Sequence, residues 1–173
     1  MSLPLGYRYA AAFAGIRKEK RDDVALIVSD KQASAASVFT TNRVQAAPVK
    51  LARRHLKSSK GRVRALLVNA GNANCATRTG DGVALECCRA AARSLKTPVD
   101  RVLPASTGVI GVELDSRLIV NAVPALVSGL SPGRFQDAAG AILTTDTRMK
   151  VAFQEVQLKQ GVVRIAGMTK GSG

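Results

Sequence analysis

Arg64-Ala65-Leu66-Leu67-Val68-Asn69, running into Ala70-Gly71-Asn72-Ala73-Asn74, decides how the rest of the chain is read. The first six residues have the pattern of a strand buried in a sheet, and the next five have the composition of a loop. Downstream, an Ala-rich stretch reads as helix over 81–95. A short strand over 101–106 then delivers a turn at Thr107-Gly108. Upstream, Pro48 suits the first position of a helix over 48–57, where its missing N–H costs nothing. The apolar runs 24–29 and 35–40 read as two strands separated at Asp30-Lys31. Residues 118–127 read as helix despite Pro124. From Ser131 a helix is expected, with Ser131 as cap and Pro132 at the first position. Phe135, Ala138, Ala139, Ile142 and Leu143 recur there at helical spacing. The runs 151–158 and 162–167 flank Lys159-Gln160-Gly161 as a hairpin. The expectation is an α/β fold of mixed sheets with flanking helices, in one unit over 1–173.

Composition narrows the class. Hydrophobic residues make up 46% of the chain, enough for a core and too many for disorder. Aromatics are 3% and Trp is absent, so that core is aliphatic. The net charge of +14 suggests phosphate binding. However, the basic residues are scattered, stacking aromatics are few, and no homeodomain, finger or RNP-like pattern occurs. The charge is read instead as matched by a partner chain or as a solvated surface. Cys75, Cys87 and Cys88 are odd in number and lack metal-ligand spacing, which fits a reducing cytoplasm. No run approaches a membrane span, and Met1-Ser2-Leu3-Pro4-Leu5-Gly6 lacks a signal pattern.

Three segments have the residue types that chemistry needs. A strand ending Ser106-Thr107-Gly108 suits an oxyanion hole, because Gly lets an N–H face the reacting atom and the neighbouring hydroxyl adds a donor. The amides Asn69, Asn72 and Asn74 serve a convoluted loop from both donor and acceptor sides, bracing a site rather than touching substrate. Thr144-Thr145-Asp146-Thr147 and Lys170 supply hydroxyls and an ammonium for a polar substrate. Taken singly, each segment reads as ordinary structure. His55, the only histidine, lies among Arg53, Arg54 and Lys57 and reads as solvent-facing. Cys75 lacks an evident base to activate it. Both are taken as structural.

In order, the chain has Ala14-Gly15-Ile16-Arg17, the run 23–30 (Asp-Val-Ala-Leu-Ile-Val-Ser-Asp), Phe39-Thr40-Thr41-Asn42 and Ala47-Pro48-Val49. Val68-Asn69-Ala70-Gly71-Asn72-Ala73-Asn74, Ser106-Thr107-Gly108-Val109-Ile110-Gly111, 142–147 and 167–173 follow. As a set they resemble the α chain of the ornithine acetyltransferases, the bifunctional glutamate N-acetyltransferases of arginine biosynthesis. The resemblance covers nearly the whole chain. Cys75-Ala76-Thr77-Arg78-Thr79-Gly80 departs from the usual Ala-Cys-Thr-Gly form, so Cys75 and Thr77 receive no role.

The resemblance implies a two-chain enzyme of N-terminal-nucleophile type. In that family a precursor cuts itself before a Thr, which becomes the nucleophile of a β chain. The family reaches that junction shortly after the stretch matching Lys170-Gly171-Ser172-Gly173. The expectation is therefore an α chain lacking its last few residues, or a truncation, with the nucleophile outside this sequence. By position, Thr107 and Gly108 match the oxyanion hole, and Thr147 and Lys170 match substrate-binding positions. Thr144 and Thr145 are adjacent options to Thr147. The expected partners are the β chain, N-acetylornithine and glutamate, with acetyl-CoA as a further donor in some members, in an α2β2 assembly. No cofactor, metal, nucleic acid or membrane is expected. Two alternatives stand beside this: an acyltransferase of a secondary pathway on the same scaffold, and a basic nucleic-acid-binding module.

Overall fold

A computed structural model describes residues 2–171. Its centre is a four-stranded sheet in the order β1 (Tyr7–Ala12), β2 (Val24–Ser34), β3 (Arg62–Asn72), β4 (Val102–Val109). β1/β2 and β2/β3 pair antiparallel, while β3/β4 are parallel. Between β2 and β3 the chain forms α1 (Ala47–Ser58). Between β3 and β4 it forms α2 (Gly80–Ser94), the crossover that a parallel pair requires. Then come α3 (Ser116–Ser128), α4 (Phe135–Ala141) and the separate hairpin β5 (Lys150–Leu158) and β6 (Gly161–Thr169).

Strand alternation sorts side chains onto two faces. Val24, Leu26 and Val28 align with Ala65 and Leu67 and pack against α1, α2 and α3 through Leu51, Ala84 and Leu126. Ala11, Ala25 and Tyr9 face the other way, against α4 and the hairpin. An aromatic line ties that second layer together. Tyr9 meets Phe135 edge-on at 5.2 Å, and Phe135 meets Phe153 of the hairpin at 5.2 Å. Such pairs contribute about 0.5–1.5 kcal/mol each beyond area burial.

The α/β architecture, helices α1 to α3 and the hairpin agree with the sequence reading. Several local expectations are corrected. Strand β2 does not stop at Asp30-Lys31 but continues to Ser34, shifting register between Val28 and Ala33. Residues 35–40 form no strand. Ala35 N–H still bonds the Gly61 carbonyl, but β3 starts at Arg62, so no partner backbone remains and Val38 is 97% exposed. Residues 70–72 extend β3 rather than forming a loop, and Thr107-Gly108 lie within β4 rather than in a turn. Helix α4 begins at Phe135, because Ser131 pairs with the free edge of β1. Each residue's N–H there reaches the other's carbonyl at 3.0 Å, between Ser131 and Tyr9.

His55 also departs from its reading as solvent-facing. It is 6% exposed, and its Nδ1 lies 2.8 Å from the Val102 carbonyl, which ties α1 to β4. Its spacing from Leu51 puts it on the buried stripe of the helix despite the charges around it. Cys87 and Cys88 are buried in α2, where burial pushes both thiols up to about 12, so they act as packing groups. Among the described residues no helix is long and apolar enough to cross a membrane.

Candidate active site at the end of the central sheet

Strands β3 and β4 run side by side to a common end, where Gly71 is paired with Gly108. Gly108 adopts φ +138°, a region that L side chains rarely occupy. A Cβ on Gly108 would lie 2.2 Å from the Gly71 carbonyl carbon, so the two backbones approach as no other residue would allow. Gly71 is covered in turn by the 14–17 loop: its own added Cβ would fall 2.7 Å from Cγ2 of Ile16.

The amide cluster braces this end from the helix side. Asn69 Nδ2 donates to Ser106 Oγ at 2.7 Å, and Asn72 Nδ2 donates to the Val112 carbonyl at 3.0 Å. Asn74 Nδ2 donates to the Gly80 carbonyl at 2.9 Å, and Asn74 N–H donates to Asn72 Oδ1 at 2.7 Å. All three amides are buried. Each spends its capacity on protein partners, the bracing role expected from the sequence. Beyond them Glu113 accepts from Thr79 Oγ1 and from the backbone N–H of Arg78, and these bonds hold its carboxyl below the usual carboxylate range.

The other side is built by a loop that the sequence reading left without a role. Asp23 is 0% exposed, and its carboxylate accepts the N–H groups of Ala14, Ile16 and Arg17 at 2.7, 2.8 and 3.1 Å. The loop so fixed sends two arginines across the site. Arg17 donates to the carbonyls of Ala70 and Leu143, and Arg21 donates to the carbonyl of Thr144 at 2.7 Å. Burial lowers the pKa of Arg17. The residue that follows the α4 layer is thereby pinned to the end of β3.

Pinning Thr144 matters because of Lys170. The Lys170 ammonium donates to Thr107 Oγ1 at 2.5 Å and to Thr144 Oγ1 at 3.0 Å. An ammonium donating into the Thr107 oxygen leaves that hydroxyl's own proton free for another acceptor and strengthens it as a donor. Thr107 and Lys170 border a cavity of about 310 Å³ whose other walls include Ile27, Leu66, Val68 and Met168. It therefore combines an apolar wall with a concentrated cationic and hydroxyl corner. That combination suits a small acyl group whose carbonyl oxygen gains negative charge.

The structure thus brings Thr107, Gly108 and Lys170 together. It adds Thr144, the neighbour weighed beside Thr147. Thr147 itself is exposed and makes no side-chain hydrogen bond among the described residues. Lys170 is half-buried rather than a free surface lysine. Ser172 and Gly173, part of the stretch quoted for the resemblance, lie outside the described residues, as does Met1. Among the described residues no group of three or more His, Cys, Asp or Glu could hold a metal.

Comparison with known proteins gives the family of the chain. The sequence profile described as the ArgJ family matches residues 8–173. The chain is 46% identical over 173 residues to the arginine biosynthesis bifunctional protein ArgJ of Nitratidesulfovibrio vulgaris, covering 98% of this chain and 43% of that protein. It is 41% identical to the ArgJ protein of Prochlorococcus marinus, covering 100% of this chain and 41% of that protein. The chain therefore spans about two fifths of the length of these curated relatives. Among solved structures it is similar to ArgJ of Bacillus halodurans, with TM-score 0.88, 32% identity, and coverage of 98% of this chain and 88% of that one. It is equally similar to the ornithine acetyltransferase of Mycobacterium tuberculosis solved with ornithine, with TM-score 0.88, 32% identity, and coverage of 98% and 90%.

Proposed function

The chain belongs to the ArgJ family, and on that premise we propose that it is the α chain of a self-cleaved acetyltransferase. It would move acetyl from N-acetylornithine to glutamate in arginine biosynthesis, with acetyl-CoA a further candidate donor. The observation that carries this reading is the Lys170–Thr107–Thr144 cluster at the end of β4, against a small, largely apolar cavity. Thr107 and Gly108 are the oxyanion donors in this reading. Lys170 holds the substrate together with a threonine of the 144–147 stretch, in which Thr147 is the position matched by family and Thr144 the one in contact.

The nucleophile is the N-terminal Thr of a β chain. Its α-amine, with a pKa near ~8, takes the hydroxyl proton as the oxygen adds to the acetyl carbonyl. The oxyanion rests on Thr107 and Gly108 until the C–N bond breaks and ornithine leaves with the proton. Glutamate's amine then attacks the acetyl ester, and the threonine hydroxyl is restored. No cofactor enters either half.

Two further observations support a missing partner. The β5–β6 hairpin exposes Val156, Leu158, Val162, Val163 and Ile165, a two-sided apolar ribbon that a second chain would cover. The chain accounts for 88% of a solved relative but 43% of a curated one, so the solved chains are about half the length of the curated ones, as a precursor cut in two would give. The unit over 1–173 is then completed by the β chain in an α2β2 cytoplasmic enzyme.

The test is expression of the complete gene, mass spectra of its chains and an assay for acetyl transfer to glutamate. Two chains, the second beginning with Thr, and transfer without added cofactor are expected. Thr107→Val should lower kcat by roughly 100-fold, as loss of one oxyanion donor does, while Lys170→Met should act mainly through KM. A single uncut chain without transfer would sink the proposal.

A further inference from the structure

Just past Lys170 one residue, Gly171, is gripped through both its backbone N–H and its backbone carbonyl. The N–H of Gly171 donates to Asp146 Oδ1 at 2.7 Å, and the carbonyl of Gly171 accepts from Lys150 Nζ at 2.5 Å. The two gripping side chains are themselves an ion pair, Lys150 Nζ to Asp146 Oδ1 at 2.7 Å. The pair is unlike the other ion pairs among the described residues, because the Asp146 side chain is 3% exposed while the acid in each of the others is at least 43% exposed. The hydrogen bond from Lys150 holds the Asp146 carboxyl below the usual range, so it is ionised at neutral pH. Its second oxygen, Oδ2, is buried without a hydrogen-bond partner among the described residues. Gly171 has φ +86°, so the chain turns at the gripped residue.

The Asp146 carboxylate is buried while its partner Lys150 is 42% exposed, so the acid gives up hydration that the attraction has to offset. Holding one exposed glycine is a poor return in stability for that cost. Holding it fixes two things: the direction in which the backbone leaves β6, and the position of Lys170 immediately before it.

We infer that Asp146 and Lys150 form a backbone clamp that positions the segment following Gly171 for self-cleavage. The inference rests on the two-chain reading above, in which the bond to be cut follows shortly after Gly173. In that cleavage the Thr hydroxyl oxygen adds to the preceding carbonyl carbon, the C–N bond breaks, and the hydroxyl proton passes to the departing amine. Water then hydrolyses the resulting ester to a carboxylate and the free hydroxyl. The step is intramolecular, so its rate depends on how closely the hydroxyl and carbonyl are held, and a displacement of ~1 Å can cost ~100-fold. A clamp a few residues upstream restricts that displacement. Asp146 and Lys150 are positioning residues, since neither touches the reacting atoms.

The test uses the full-length precursor. Uncut protein is collected early in synthesis, and the appearance of the new N-terminus is followed by mass spectrometry. Lys150→Met and Asp146→Asn are expected to slow cleavage by about 10-fold or more, and Lys150→Arg should restore it to within a few-fold. Leu126→Ala, in the core on the far side of the sheet, supplies a comparable or greater loss of Tm without touching the clamp, and should cut at close to the wild-type rate. Cleavage of Lys150→Met and Asp146→Asn at the wild-type rate would overturn the clamp. So would slowing that Leu126→Ala matches or that Lys150→Arg fails to restore, because the pair would then act through stability alone. A wild-type precursor that never cuts would instead remove the two-chain reading, and the clamp's role with it.

Discussion

Gly108→Ala is expected to cost acetyl transfer at least ~100-fold in kcat/KM and to destabilise the chain by about 1–3 kcal/mol. Two physical causes combine. The residue sits at φ +138°, and its new Cβ would lie 2.2, 2.3 and 2.5 Å from the carbonyl carbon and oxygen of Gly71 and the nitrogen of Asn72. All three obstacles are backbone, so relief requires β3 and β4 to separate at their shared end. Separation moves Thr107 away from Lys170 and turns the 108 N–H from its direction. Gly71→Ala is the matched comparison. Its obstacles are the side chains of Ile16 and Arg17, which can shift, and its φ is ordinary, so it should retain far more activity. The measurements are kcat/KM of the two purified full-length variants and their thermal melts. Activity of Gly108→Ala within tenfold of wild type would contradict the role assigned to this strand end.

Asp23→Ala is expected to lower stability by about 3–5 kcal/mol, read from the midpoint and slope of urea unfolding. The carboxylate is wholly buried and accepts three backbone N–H groups, which the substitution leaves without an acceptor. Asp23→Asn should not rescue it, because an NH2 group would face at least one N–H where an oxygen is needed. The effect should also reach the site. The 14–17 loop carries Arg17 to the Ala70 and Leu143 carbonyls, and Arg21 reaches that of Thr144. Substrate KM should therefore rise even in the folded fraction. A loss under about 1 kcal/mol would mean that solvent replaces the carboxylate, which its burial forbids.

Elements with long, one-sided patterns were legible in the chain itself. The run 64–69, the Ala-rich 81–95 and the hairpin each repeat a single period long enough to outweigh local exceptions. What escaped depends on partners distant in sequence. Residues 35–40 read as a strand like 24–29, but only the latter find a neighbouring strand for their whole length. Ser131 has the chemistry of a helix cap and is used instead at the open edge of β1. Thr107-Gly108 reads as a turn because glycine usually marks one. Here it marks the close approach of a second glycine, Gly71, whose pairing no local pattern encodes. Asp23 entered the sequence reading only as the first residue of the run 23–30, and only the folded loop reveals three amides converging on it. Thr107 and Lys170 were legible through the resemblance rather than through periodicity. Their contact, across the gap between β4 and β6, is a product of the tertiary fold.

The aromatic line through the second layer has an optical consequence. The chain has no Trp and only two Tyr, so its ultraviolet signal comes almost entirely from Tyr7 and Tyr9. Tyr9 is stacked edge-on to Phe135, which in turn meets Phe153 of the hairpin, and burial raises its phenol pKa. Its near-ultraviolet circular dichroism band therefore reports whether the hairpin is seated on the sheet. In an alkaline spectrophotometric titration its phenolate should appear only above the ordinary tyrosine range, near ~10. Any tryptophan emission from a reconstituted enzyme would originate in another polypeptide, which makes assembly observable by fluorescence without a label.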